Sequence, residues 1–223
     1  ALVASMKPLG EVSVLAPDRN WSASGHVKTI HRPLRVRPTT LPDGTPAFLS
    51  DGAPSDCVAL AILGYIEKKI DLVISGINPS ANIGDDVTYS GTVTAAMEAA
   101  IGGLPGIAVS LDSPINLQGE RDFRAAAAFA ARVAARVSKE GLPRNTLLNV
   151  NVPYLPLEQI KGVRVTRLGL RVYRDELVRR DDPQGHPYYW IGGEAPTGTP
   201  EEGTDVGALN EGYVSVTPLH MDM

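Results

Sequence analysis

Short apolar runs alternate with helix-patterned stretches through the first two-thirds of the chain. Residues 12–16, 72–75, 107–111 and 147–152 are rich in Val, Ile or Leu and read as buried strands. Residues 57–68 form a helical pattern behind Asp56, whose carboxylate suits a helix N-cap. Val93, Ala96, Met97 and Ala100 recur at i, i+3, i+4 and i+7, the stripe of an amphipathic helix. A longer helix over 120–139 lines up Phe123, Ala127, Ala130, Ala134 and Val137 in an alanine-rich stretch that favours helix. Strand and helix in turn predict an α/β fold: a doubly wound, mainly parallel, Rossmann-like sheet with helices on both faces.

After Pro153 the texture changes. Residues 164–191 read as β structure, with a hairpin of 171–178 and 187–191 around the turn Asp182-Pro183-Gln184-Gly185. Arg179, Arg180, Asp181 and Asp182 make its tip too polar for a core, while Tyr188, Tyr189 and Trp190 share one strand. Such a hairpin either packs on its own domain or reaches as an arm to another subunit. A short helix near 207–210 and a strand over 213–217 complete the pattern. The expected division is an α/β core, 1–153, and a β-rich extension, 154–223, packed on it.

Composition narrows the function classes. A chain of 223 residues with 43% hydrophobic and 21% charged residues is ordinary for a soluble globular protein with a sizeable core. Its net charge of −4 argues against wrapping long nucleic acid, but leaves a small phosphorylated ligand open, because local donors can bind one. The single Cys57 rules out an internal disulfide, suits a reducing compartment, and reads as a small buried helix residue. No apolar run approaches the roughly eighteen residues of a membrane span, and no leader pattern is visible. Cytoplasmic residence without a membrane partner is the expectation. His31, His186 and His220 lack metal-ligand spacing, and neither a Walker A nor a GxGxxG pattern is present.

The chemistry concentrates in residues 75–92, SGINPSANIGDDVTYSGT. Asn and Asp oxygens suit a hard cation, and a Ser-Gly-Thr turn opening a helix is a natural phosphate cradle. Ser90, Gly91 and Thr92 are the best anion site: the glycine admits close backbone approach and the hydroxyls donate, although capping alone explains one hydroxyl. Asn78 offers a carbonyl oxygen to a cation or closes an Asx-turn. Asp85 and Asp86 either offer carboxylates to a cation or favour the positive end of a helix. His26, four residues past Ser22, is either a loop proton donor or a structural histidine.

The segments APDRNWSASGH (16–26), DGAPSDCV (51–58), SGINPSANIGDDVTYSGT (75–92), LNVNVP (148–153) and GYVSVTPLH (212–220) together resemble the SurE (survival protein E) family. The resemblance runs in order through nearly the whole chain. It implies a metal-dependent 5′/3′-nucleotidase, with short polyphosphate as a second substrate class and one divalent cation, Mg2+ or Mn2+, as cofactor. It also implies Ser22 and Asn78 as metal ligands, phosphate contacts from Asn82, Ser90, Gly91 and Thr92, and catalytic roles for Asn82 and Ser90. A C-terminal part used in subunit exchange implies a homodimer or homotetramer. The family's opening strand ends in Asn-Asp-Asp-Gly, whose aspartates hold the metal. Residues 1–223 show no counterpart, so the expectation is that a segment carrying the pair precedes Ala1; without that pair, a non-catalytic nucleotide-binding protein is the alternative.

Overall fold

Alternate side chains of the central strands are buried in opposite directions, and that alternation sets the layers. The computed structural model describes residues 1–222, with the side chains of 194–196 left aside. In chain order the elements are α1 (Leu2–Met6), β1 (Leu15–Pro17), β2 (Val36–Thr40), β3 (Pro46–Ser50), α2 (Pro54–Leu60), β4 (Val73–Asn78), α3 (Gly91–Ile101) and β5 (Gly106–Asp112). There follow α4 (Arg124–Glu140), β6 (Thr146–Pro153), β7 (Val163–Val165), β8 (Arg171–Asp181), β9 (Pro187–Gly198), α5 (Asp205–Asn210) and β10 (Val214–His220).

The main sheet has the order β4-β5-β6-β10-β7. Strands β4, β5 and β6 run parallel, β10 is antiparallel to β6, and β7 lies parallel to β10. Ile107, Val109 and Leu111 of β5 join Val150 and Val152 of β6 and Val214 and Val216 of β10 against Phe129, Ala130, Ala134 and Val137 of α4. Each fully buried aliphatic side chain there contributes about 1.5–3 kcal/mol. On the opposite face, Ala108 and Leu147 meet Val93, Ala96 and Ala100 of α3. Ala95 and Ala99 of α3 turn instead toward Val58 of α2. A helix covered on two sides has room for little beyond alanine, which accounts for its composition.

The parallel-dominated α/β architecture agrees with the sequence pattern; several local details differ. Residues 12–16 do not form a strand of the main sheet. The strand is Leu15–Pro17, paired with β3 in a separate three-stranded sheet of order β1-β3-β2. Strands β2 and β3 carry no clear apolar signature: Pro38 lies inside β2, a position tolerated because β2 is an edge strand. Helix α2 begins at Pro54 with Ala53 as N-cap, so Asp56 is not the cap. Its carboxylate lies in the first turn and accepts from the Ala53 N–H at 2.9 Å, the Thr29 N–H at 2.8 Å and the Thr29 hydroxyl at 2.7 Å. Beyond Leu60 the helix widens over Ala61–Tyr65 and stops at Gly64, whose φ of 113° suits glycine. The hairpin strands are longer than expected, and the Asp182–Gly185 turn closes with Gly185 N–H donating to Asp182 C=O at 3.0 Å.

Candidate active site

The N-terminus of α3 is built by Ser90. Its Oγ accepts from Val93 N–H at 3.2 Å and its carbonyl from Thr94 N–H at 3.0 Å. The Gly91 and Thr92 N–H groups lie in the first turn, where the helix itself offers no acceptor. A Cβ on Gly91 would stand 3.1 Å from Pro54 Cγ, 3.5 Å from Trp21 O and 3.6 Å from Ser24 Oγ. The tight approach is that of Pro54 in α2, while the loop after β1 lies at ordinary van der Waals distance. That loop is tied down by Gly25 N–H donating to Tyr89 C=O at 3.0 Å and by the Thr94 hydroxyl donating to Gly25 C=O at 3.1 Å.

Ser22 rides on the same loop. It is exposed, and both its N–H (2.9 Å) and its hydroxyl (2.7 Å) donate to Asn20 Oδ1. Trp21 Nε1, one residue earlier, is buried without an acceptor. His26 Nε2 lies 2.9 Å from Glu98 Oε2, and Lys28 Nζ 3.2 Å from Glu98 Oε1, so His26 joins this loop to α3. That contact supports the structural reading of His26.

Asn78 is the last residue of β4, inside the strand and not three residues beyond it. Its amide nitrogen donates to Ser80 C=O at 2.7 Å and to Ser80 Oγ at 3.1 Å, so Oδ1 is the atom it would offer a cation. Gly76, with φ of 133°, lets this strand end approach β5: a Cβ there would clash with the Val109 carbonyl oxygen. Asn78 is in register with Ser110 of β5, and Ser110 Oγ accepts from Asn82 Nδ2 at 2.7 Å. The structure thus forms two groups at the carboxyl ends of parallel strands: Asn78 with Asn82 and Ser110, and Ser22's loop with Ser90, Gly91 and Thr92. Among the described residues, no hydrogen bond joins Ser22 to Asn78.

Asp86 is spent elsewhere. Its Oδ2 lies 2.8 Å from Arg171 Nη2, and its Oδ1 accepts from the Tyr173 hydroxyl at 2.5 Å. Desolvation and this carboxylate push the Tyr173 phenol up to about 12. Asp86 thereby anchors the root of the β8–β9 hairpin on the segment between β4 and α3. Cys57 is buried in α2, and burial, then Asp56, pushes its thiol up to about 12, so it is an inert core thiol at neutral pH.

A complete hard-cation site does not follow from these residues alone. Ser22 and Asn78 offer neutral oxygens, and among the described residues no three His, Cys, Asp or Glu side chains converge. Carboxylates are what offset the dehydration of such a cation.

A cavity of about 550 Å³ opens beside the first loop, lined by Asp18, Arg35, Val36, Arg37, Leu49 and Asp51. Asp51 accepts from Arg35 N–H at 2.9 Å and from Arg32 Nη1 at 2.9 Å. The Arg35 N–H foremost, then Arg32, holds its carboxyl below the ordinary 3.8. A depressed folded value means stability that is present above about pH 4 and lost as pH falls through the folded value. Asp51→Asn is expected to flatten that acid limb, measured as urea midpoints between about pH 6 and pH 3.

Sequence reading missed Ser110, Asn149 and Asn151 as partners of Asn82. Asparagine is uncommon in strands, so two of them in LNVNVP were an available signal.

Comparison with known proteins identifies the family. Residues 1–175 match the family described as Survival protein SurE. The chain is 54% identical over 223 residues to a protein of Chloroflexus aggregans named 5'-nucleotidase SurE, covering 100% of this chain and 87% of the relative. It is 52% identical, with the same two coverages, to a protein of that name from Herpetosiphon aurantiacus. The crystal structure of the SurE protein from Aquifex aeolicus superposes with a TM-score of 0.81 at 44% identity, covering 100% of this chain and 87% of that one. The chain belongs to the SurE family.

Proposed function

We infer that this chain is a divalent-metal-dependent phosphatase of nucleoside monophosphates, a 5′-nucleotidase like the relatives it matches. We propose further that it takes both 5′- and 3′-monophosphates, with short polyphosphate as a second substrate class. The observation that carries this reading is the tying of Ser22's loop to the start of α3, through Gly25 N–H to Tyr89 C=O and the Thr94 hydroxyl to Gly25 C=O, which sets a hydroxyl-bearing loop beside the first-turn N–H groups. An anion lying there meets the positive end of α3 and the hydroxyls of Ser90 and Thr92. Asn82 has one amide N–H on Ser110 and a second left to donate to a phosphoryl oxygen. Donors fixed in this way stabilise the charge that builds on the transferring phosphoryl group.

Mg2+ or Mn2+ is the proposed cation. Ser22 and Asn78 are its proposed neutral ligands, and the carboxylates it requires lie outside the set described above. The proposed assembly is a homodimer or homotetramer through the 154–223 extension. Its support is the β8–β9 hairpin, where Leu177 (73% exposed) and its cross-strand partner Ile191 (84%) form an exposed apolar pair that suits a subunit contact, with Trp190 (63%) exposed on the opposite face. No helix among the described residues is long and apolar enough to cross a membrane. We place the protein in the cytoplasm on its single cysteine.

The test is phosphate release from 5′-AMP and 3′-AMP with Mg2+, with Mn2+, and after EDTA. Release from both substrates that EDTA abolishes is the expected result. Folded protein that binds AMP yet releases no phosphate with either metal would overturn the hydrolase reading.

A further inference from the structure

Strand β6 alternates valine with asparagine. Val150 and Val152 enter the α4 core, while Asn149 and Asn151, both 0% exposed, face the other way. An amide buried there needs partners, and both asparagines find them on one residue, Asn82. Asn151 Oδ1 accepts from Asn82 N–H at 2.8 Å, and Asn151 Nδ2 donates to Asn82 C=O at 3.0 Å. One side-chain amide thus grips both main-chain groups of one residue, as a neighbouring strand would. Asn149 Nδ2 donates to the same carbonyl at 2.8 Å, while its own Oδ1 is buried without a donor. An unpaired buried acceptor is destabilising, and folding alone would avoid it with an apolar side chain. Ser110 on β5 holds the Asn82 amide from the side-chain end. The main chain and side chain of Asn82 are therefore both fixed by residues on rigid strands.

We propose that Asn151, assisted by Asn149 and Ser110, is a positioning residue that aims the free amide N–H of Asn82 at the phosphoryl group. This rests on the reading of Asn82 as a phosphate contact. Asn151→Asp nearly preserves shape and the acceptor for Asn82 N–H, but its carboxylate cannot donate to Asn82 C=O. Ser110→Ala releases the side chain while leaving the main-chain grip intact. Asn82→Ala removes the donor and keeps the main-chain bonds, so it leaves the fold in place.

The experiment measures kcat and KM for 5′-AMP hydrolysis in the full protein for these three variants and for the doubles that combine Asn82→Ala with each of the others. Asn82→Ala is expected to lower kcat about a hundredfold. Asn151→Asp and Ser110→Ala are expected to lower kcat roughly tenfold, with KM changed far less. Each double should be no slower than Asn82→Ala alone, because the positioning effect vanishes with the group positioned. A merely structural role would instead add its full loss in the Asn82→Ala background. An unimpaired Asn82→Ala would refute the phosphate-contact reading. An impaired Asn82→Ala, with Ser110→Ala and Asn151→Asp at wild-type kcat or fully additive, would refute the positioning inference. Should Asn151→Asp fail to fold, the Ser110→Ala pair decides alone.

Discussion

Asp205→Ala is expected to destabilise the protein by about 3–5 kcal/mol, seen as a fall on the order of 10 °C in Tm. Asp205 is the first residue of α5 and is 0% exposed. Its Oδ1 accepts from Gly169 N–H at 2.7 Å and Val206 N–H at 2.8 Å, and its Oδ2 from Gly84 N–H at 2.9 Å. Bonds to an ionised acceptor are worth about 1.5–3 kcal/mol each, and they are not additive. Alanine leaves two buried donors, a third that is half-buried, and a void between segments far apart in sequence. Asp205→Asn should fall between the two, because one oxygen still accepts while its NH2 group faces a donor. The consequence reaches the site, since Gly84 opens the turn that leads to Ser90. At a temperature where both proteins are folded, the alanine variant should lose activity as well as stability. Chemical denaturation and AMP hydrolysis check the two effects separately. A variant within about 1 kcal/mol of the parent would mean that the carboxylate does not hold the loop.

That contact also marks where sequence reading ends. β5 and β6 were legible because burial on both faces leaves continuous apolar runs, and α4 because its stripe repeats at helical spacing. Asp205 looks in the sequence like an acidic residue at the start of a short helix; its partner Gly84 lies 121 positions away. Periodicity says which face is buried, and it is silent on which distant N–H meets a carboxylate there. The same limit hid the grip on Asn82. LNVNVP advertised a buried strand, yet only three-dimensional pairing shows both asparagines converging on one main chain. Strands β2 and β3 were lost for a different reason: they form a small sheet with little apolar patterning, and Pro38 argues against a strand unless the edge position is known. Ser90, Gly91 and Thr92 were legible as a Ser-Gly-Thr turn opening a helix, whereas Ser22 came only from the family resemblance. What the turn could not supply was the packing around its glycine, where Pro54 of α2 stands nearest.

Ser90 caps α3, and the phosphate-donating duty proposed for it is one that a pair of substitutions separates from the cap. Ser90→Ala loses the cap on Val93 N–H and should cost about 1 kcal/mol of stability. It also loses a hydroxyl donor to phosphate, so activity should fall roughly tenfold to a hundredfold. Ser90→Asp keeps a good cap, and its charge favours the positive end of α3, so it should be more stable than the alanine variant. Yet it sets a carboxylate where phosphate oxygens would lie, and repulsion there should lower kcat/KM about a thousandfold or more. Stability and activity would then rank the two variants in opposite orders, which no purely structural role for Ser90 produces. The measurements are unfolding midpoints and AMP hydrolysis on the same preparations, with inorganic phosphate as a competing ligand. If Ser90→Asp hydrolyses AMP at close to the parent rate, Ser90 is only a helix cap, and the phosphoryl group binds away from the α3 N-terminus.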